Sequence, residues 1–180
     1  MEPKTLKDHL LRYGLILGLS EIVLVLITYL MGIKYMVSYW TSILSILIMI
    51  TVLVLAGVKW KKAQKGILIF KHAFLLIFAV YAISGVLQLL FSITLYNAID
   101  PSLPESLKAE ISEKMISTME QLGTPEENIE EALAKLDNME ESYKPQKLII
   151  GFCWSLIFGA VLATIIAAII KKKPPELELS

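Results

Sequence analysis

The sequence reads as an all-α, polytopic membrane protein with four transmembrane helices and an extramembrane helical hairpin between the third and the fourth. Three observations predict this. Hydrophobic residues make up 56% of the 180. They gather in four long, nearly charge-free runs, each close to the ~20 apolar residues that cross a bilayer. The charge is segregated as well: residues 97–147 hold twelve Asp/Glu against five Lys, while the whole chain sums to zero.

Residues 1–12 form a short basic N-terminus. Span one follows at about 13–32 and is too long for a signal-peptide core, so it reads as retained. Its Gly14, Gly18, Glu21, Val25, Thr28 and Gly32 recur at steps of three and four and share one helix face. Small residues let another helix approach closely, so this face should point into a bundle. A turn with the single Lys34 leads to span two at about 38–58, bracketed by Trp40 and Trp60. A helix of ~20 residues rises about 30 Å, which places the two indoles near the two interfaces. Ser38, Ser42, Ser45, Met49, Val52 and Ala56 make its stripe. Lys59, Lys61, Lys62, Lys65 and Lys71 crowd the next loop. Span three starts between Ile67 and His72 and ends near Leu95, with Tyr81, Ser84, Gly85, Gln88 and Ser92 facing inward; spans one to three thus fill 13–96. Span four occupies 148–170 and carries Gly151, Ser155, Gly159, Ala163 and Ala167 at strict fours, a tight packing signature. Residues 171–180 form a tail of lysines followed by Pro174-Pro175.

The acidic insert, 97–147, predicts two helices and a sharp turn. Asp100-Pro101 breaks span three, and Pro104 suits the first turn of helix A. Leu107, Ile111, Met115, Met119 and Leu122 recur at helical spacing, and Gly123 stands where a C-terminal glycine belongs. Thr124-Pro125-Glu126-Glu127 then predicts helix B, with Thr124 as its N-cap and Ile129, Leu133, Leu136, Met139 and Tyr143 as its stripe. The acidity does not follow the alternating Asp/Asn, glycine and terminal glutamate of an EF-hand. It reads as a solvated face.

Chemistry has few candidates. Glu21 is the one acid inside a span, and a carboxyl in hydrocarbon is by default a functional-site hypothesis. Thr28, Tyr81, Gln88 and the serines of span two are its expected polar neighbours. Gly14, Gly18, Gly151, Ser155 and Gly159 are the expected helix-packing positions. The lone Cys153 has no partner for a disulfide, and His9 and His72 have no acid or thiol at ligand spacing. No nucleophile elbow, phosphate-binding glycine loop or paired-carboxylate pattern occurs, so neither catalytic, cofactor nor metal residues are expected, and the reading is non-enzymatic. No basic cluster interleaved with aromatics supports nucleic-acid binding.

Lysine and arginine near the span ends set the orientation. Lys4, Lys7 and Arg12, the four lysines from Lys59 to Lys65, and Lys171 to Lys173 all fall on one side in a four-span chain. Both termini are therefore expected in the cytoplasm and the insert opposite.

Several stretches together resemble a known family: Arg12-Tyr13-Gly14-Leu15-Ile16-Leu17-Gly18, Gly66-Ile67-Leu68-Ile69-Phe70-Lys71-His72-Ala73-Phe74, Tyr96-Asn97-Ala98-Ile99-Asp100-Pro101, and the helix turn from Leu122 to Ala132. The resemblance is to the bacterial four-span membrane family catalogued as domain of unknown function 4199, and covers about 8–172. It implies an inner-membrane protein with a helical periplasmic insert and carries no catalytic residues. The leading functional expectation is a structural or accessory protein that meets a partner through its bundle or acidic hairpin. Its contacts would be the lipid bilayer and either a second copy or another membrane protein. The alternative is a small proton- or cation-linked carrier using Glu21.

Overall fold

A computed structural model describes residues 5–172. Lys4, Lys173 and the Pro174-Pro175 tail lie outside the described residues. Helix α1 spans Leu6–Met31, the short α2 Ile33–Met36, α3 Tyr39–Ala63 and α4 Phe70–Thr94. A π-helical turn, Leu95–Ile99, prolongs α4. Helix α5 spans Leu103–Gln121, α6 Glu126–Ala134 and α7 Pro145–Ile170, with a 3-10 turn at Met139–Tyr143 before α7. The four long helices Leu6–Met31, Tyr39–Ala63, Phe70–Ile99 and Pro145–Ile170 are each long and apolar enough to cross a bilayer. The chain is a multi-pass membrane protein.

Helix α1 starts earlier than its apolar run because Thr5 caps it. The Thr5 hydroxyl accepts from the Asp8 amide at 3.2 Å and donates to the Asp8 carboxylate at 2.7 Å. The lengthened first turn buries His9, whose Nε2 donates to the Ala56 carbonyl of α3 at 2.8 Å. The Trp60 ring packs on His9 with centroids 5.1 Å apart. Trp60 thus belongs to the bundle's packing, whereas Trp40 is 79% exposed, as an interfacial indole would be.

Helix α4 is the hub, packed against α1, α3 and α7. Glycines allow the close approaches. A Cβ on Gly14 would come within 2.5 Å of Ile83, and one on Gly18 within 2.8 Å of Leu87, both on α4. Gly159 of α7 lies against the Tyr81 ring, and Gly57 of α3 against Ile170. The core joins Leu17, Leu53, Ala56, Ile77, Val80, Ala163 and Ile166. It fills the half of the bundle that holds both ends of the chain, here called the terminal side. In α3 the buried residues are Leu53, Ala56 and Gly57; in α7 they are Gly159, Ala163, Ile166, Ala167 and Ile170. Each set lies in the terminal-side half of its helix. There the end of α7 is tied down: Lys61 Nζ donates to the Ile170 carbonyl at 2.7 Å, filling one of the acceptors that a helix C-terminus leaves open. Leu68 and Lys172 exchange two backbone hydrogen bonds beside it, at 3.1 and 2.8 Å.

On the opposite, insert side the outer halves of α3 and α7 are not closed over by core. Here the small-residue ladder of α7 divides. Gly159, Ala163 and Ala167 are buried. Gly151 is exposed, and a Cβ there would meet nothing within 4 Å. Gly151 and Ser155 therefore do not form the helix contact expected of them; they line a cavity. Spacing places all five residues on one face, but the facing helix is near along only half of it.

The acidic insert folds back as a hairpin rooted in the bundle. Leu95, Leu103 and Leu107 form a second core with Val25, Tyr29, Ile33 and Tyr143 around it. The turn at its tip is a Schellman motif: the Thr124 amide reaches the Met119 carbonyl at 2.9 Å and the Gly123 amide the Glu120 carbonyl at 2.9 Å, with Gly123 at φ +70°. That commits the Thr124 backbone to α5, and the cap of α6 moves one residue on, from Thr124 to Pro125, so that the helix begins at Glu126. The second arm also differs from expectation. It is not helical through to Tyr143: α6 ends at Ala134, and the chain resumes as the 3-10 turn at Met139. Asp137 and Asn138, poor helix formers, occupy the break. Lys108 of α5 bonds the Asp137 carbonyl at 3.1 Å and pairs with Glu140 at 3.5 Å, holding the broken arm to the first.

The hairpin root carries a polar clasp. Asp100 accepts from the Tyr29 hydroxyl at 3.0 Å and from the Ser102 hydroxyl and amide at 2.7 and 3.2 Å. These donors, Ser102 foremost, hold the Asp100 carboxyl below the ordinary aspartate range. A depressed carboxyl contributes stability that is complete above its ordinary pKa and is lost as pH falls through the folded value. Protection of the Ser102 and Leu103 amides, taken relative to their intrinsic exchange rate at each pH, is therefore expected to fall on acidification towards about pH 3. Asp100→Asn should abolish that acid step. Protection that ignores acid in the native protein would mean the root is held by its apolar contacts alone.

Candidate functional site

The insert-side half of the bundle encloses a cavity of about 570 Å³ between α1, α3, α4 and α7. Each helix contributes for a reason visible in its sequence. The stripe of α1 brings Glu21 and Leu17; α3 brings Ser45 and Met49; α4 brings Tyr81, Ser84, Gln88 and Ser92; the divided ladder of α7 brings Gly151 and Ser155. Gly85 sets how closely α4 and α7 approach there, since a Cβ on it would come within 2.6 Å of the Phe152 ring. Lys147, at the start of α7, and Ser142 stand at the insert-side mouth.

Glu21 is the chemical centre. It is 7% exposed. Its Oε2 accepts from the Ser45 hydroxyl at 2.7 Å, a bond from α3 to α1. Its Oε1 is buried and has no hydrogen-bond partner. The nearby serines do not supply one. Ser84 donates to the Tyr81 carbonyl at 2.8 Å and Ser155 to the Phe152 carbonyl at 2.7 Å, each within its own helix. A carboxyl oxygen left without a donor in a dry interior costs on the order of 1–3 kcal/mol. Next to a cavity, a bound donor or cation can recover that loss.

Of the residues expected together, Glu21, Tyr81 and Gln88 do line one cavity. Thr28 does not. It is buried, but its hydroxyl is turned back on its own helix, donating to the Leu24 and Val25 carbonyls at 3.0 Å each. It lies two turns from Glu21, towards the insert, against the hairpin root. Gly14, Gly18 and Gly159 are close-approach glycines away from the cavity lining. Of the span-two serines expected near Glu21, Ser45 is the one that meets it. Spacing alone does not single it out, since the hydroxyl of Ser42, the other serine of α3, bonds back to the Ser38 carbonyl. Cys153 is exposed on the outer face of α7, and among the described residues no three His, Cys, Asp or Glu side chains come together as a metal site.

A protein family described as "Protein of unknown function (DUF4199)" matches residues 12–172. The chain belongs to this family. The match begins just before the first close-approach glycine, Gly14, and ends at the Lys172 bridge, so it covers the hairpin, three whole spans and all but the first turns of α1. No curated protein and no solved structure matches it.

Proposed function

We propose that this DUF4199 protein is a non-enzymatic, carrier-type protein that binds a cation or protonated group at Glu21. The observation that carries the reading is Glu21 itself, buried with a partnerless Oε1 and part of the lining of a cavity of about 570 Å³. Hydroxyls, an amide and a phenol surround it, so a ligand would find a single strong acceptor among neutral polar groups. The distribution of Lys7, Arg12, the Lys59–Lys65 cluster and Lys171 supports cytoplasmic termini, in the bacterial inner membrane that the family resemblance implies. The cavity then faces the periplasm beneath the acidic hairpin, whose net negative charge concentrates cations at the mouth. The test is reconstitution of the native protein and Glu21→Gln in liposomes, following proton and monovalent-cation binding and flux. Uptake or saturable binding lost in Glu21→Gln is the expected result. Its absence from the native protein, or its persistence in the variant, would remove the reading.

A second reading rests on the hairpin. Its root is packed into the bundle while Leu122 at its tip is 78% exposed, so it holds an apolar contact point away from the membrane. This supports an accessory protein that meets a partner, a second copy or another membrane protein, through the hairpin. Cross-linking from a probe placed within residues 105–143 tests it. A cross-link pattern in native membranes that is unchanged when the hairpin is deleted would count against it.

A further inference from the structure

The cavity lining carries a charge at its insert end and none where α3 and α7 face each other. Its water-side mouth carries Lys147, which has no ion-pair partner within 4 Å among the described residues. Its other opening is the slot between the insert-side halves of α3 and α7. Ser45 and Met49 edge the slot on one side, and Ile150, Gly151 and Trp154 on the other, none of them charged. Gly151 and Trp154 are exposed on a helix of membrane-crossing length, so this opening faces lipid. Glu21, whose buried Oε1 has no hydrogen-bond partner, is part of the lining. Glu21 lies ten residues before the end of α1, about 15 Å along the helix, well inside the hydrocarbon.

We propose that the ligand of this site is an amphiphile bearing an ammonium group, which enters from the outer leaflet through the α3–α7 slot. The inference rests on the reading of Glu21 as a cation site and names the class of cation and its route. Three features carry it. A carboxyl with one free oxygen accepts an N–H bond, and an amine and a carboxyl share one proton, so the pair can form in a dry site without net charge. The residues that edge the slot carry no charge, so a protonated amine arriving from lipid meets no repulsion there. The slot wall is apolar and continuous with the bilayer, so a hydrocarbon tail can stay in lipid while its head reaches Glu21. A soluble cation would use neither the slot nor its wall.

The test uses the full chain in nanodiscs of phosphatidylcholine, which carries no primary amine. Binding of dodecylamine is compared with that of butylamine, which has the ammonium without the tail, and dodecanol, which has the tail without the ammonium. Native protein is set against Glu21→Gln and Gly151→Phe. The second variant fills the slot from a position where an added side chain meets open space and leaves the carboxyl intact. Saturable dodecylamine binding is expected, with butylamine and dodecanol each at least about tenfold weaker, the scale of one charge-assisted hydrogen bond. Both variants should lose about tenfold or more. A diazirine on the dodecylamine tail should label α3 and α7 in the native protein. Butylamine binding as tightly as dodecylamine, undiminished binding in Gly151→Phe, or labelling confined to α1 and α4 would overturn the amphiphile and its route, leaving Glu21 as a site for soluble cations. No saturable binding of either amine, or full binding in Glu21→Gln, would overturn the cation site itself and the inference with it. Thermal unfolding of each variant separates lost binding from lost fold.

Discussion

Glu21→Leu is expected to unfold at a higher temperature than the native protein while losing all cation binding. The native side chain is buried with one oxygen bonded to Ser45 and the other to nothing. Placing an acid in the middle of a membrane helix costs on the order of 3 kcal/mol on insertion scales, and a leucine there is favourable. The lost partner does not offset this gain, because Ser45 can turn its hydroxyl back to a carbonyl of its own helix. The net effect should be a stabilisation of about 2 kcal/mol, read as a shift in thermal unfolding in nanodiscs. Such a trade of stability against activity is the mark of a functional group held in an unfavourable place. A Glu21→Leu protein less stable than the native one would identify the carboxyl as a structural tie between α1 and α3.

The second large effect is expected at Gly159. Even an alanine there would place its Cβ on the Tyr81 ring, which has to move. The ring is hemmed in by α7 on one side and by the cavity on the other, so the free direction is into the cavity. Gly159→Ala should therefore cost about 1–3 kcal/mol through strained packing and also weaken ligand binding by obstructing the site. Replacing Tyr81 by leucine in the same chain should restore much of the stability, because the clash is with the ring. The four proteins of that cycle give the coupling directly, and an additive result would refute a Gly159–Tyr81 clash.

The architecture was legible because membrane helices announce themselves by length and composition, and because capping and turn residues act locally. The Gly123 stop and the packing of Gly14 and Gly18 against a neighbouring helix needed nothing beyond spacing. The site was legible in part for the same reason. Glu21, Tyr81 and Gln88 stand on the inward faces of their helices, and inward faces meet. What spacing does not encode is how far apart two helices run at a given level. Gly151 and Gly159 are equivalent by position on α7, yet one meets a tyrosine ring and the other meets nothing within 4 Å. Thr28 was misread for a related reason: it shares a face with Glu21 but lies two turns along, at the height of the hairpin root. The break in the second arm of the hairpin depended on a tertiary contact, Lys108 with the Asp137 carbonyl, that no local pattern carries. His9 fell within the N-terminal segment ahead of span one, because the Thr5 cap that extends α1 and draws it inward lay outside the apolar run.

The fastening of α7 at the terminal side has a mechanical consequence. Lys61 to Ile170 and the paired Leu68 and Lys172 backbones clamp α3, α4 and α7 at one end, like the spring of a clothes-peg. Among the described residues no hydrogen bond runs directly between the far ends of α3 and α7; there the hairpin's Lys114 reaches the Val37 carbonyl just before α3 at 2.7 Å. A small tilt of either helix about the clamp is magnified towards the insert side, and the gap it opens lies where neither helix has buried side chains to expose. The width of the jaws can thus follow the size of what they hold, at little expense to the packing that keeps the protein folded.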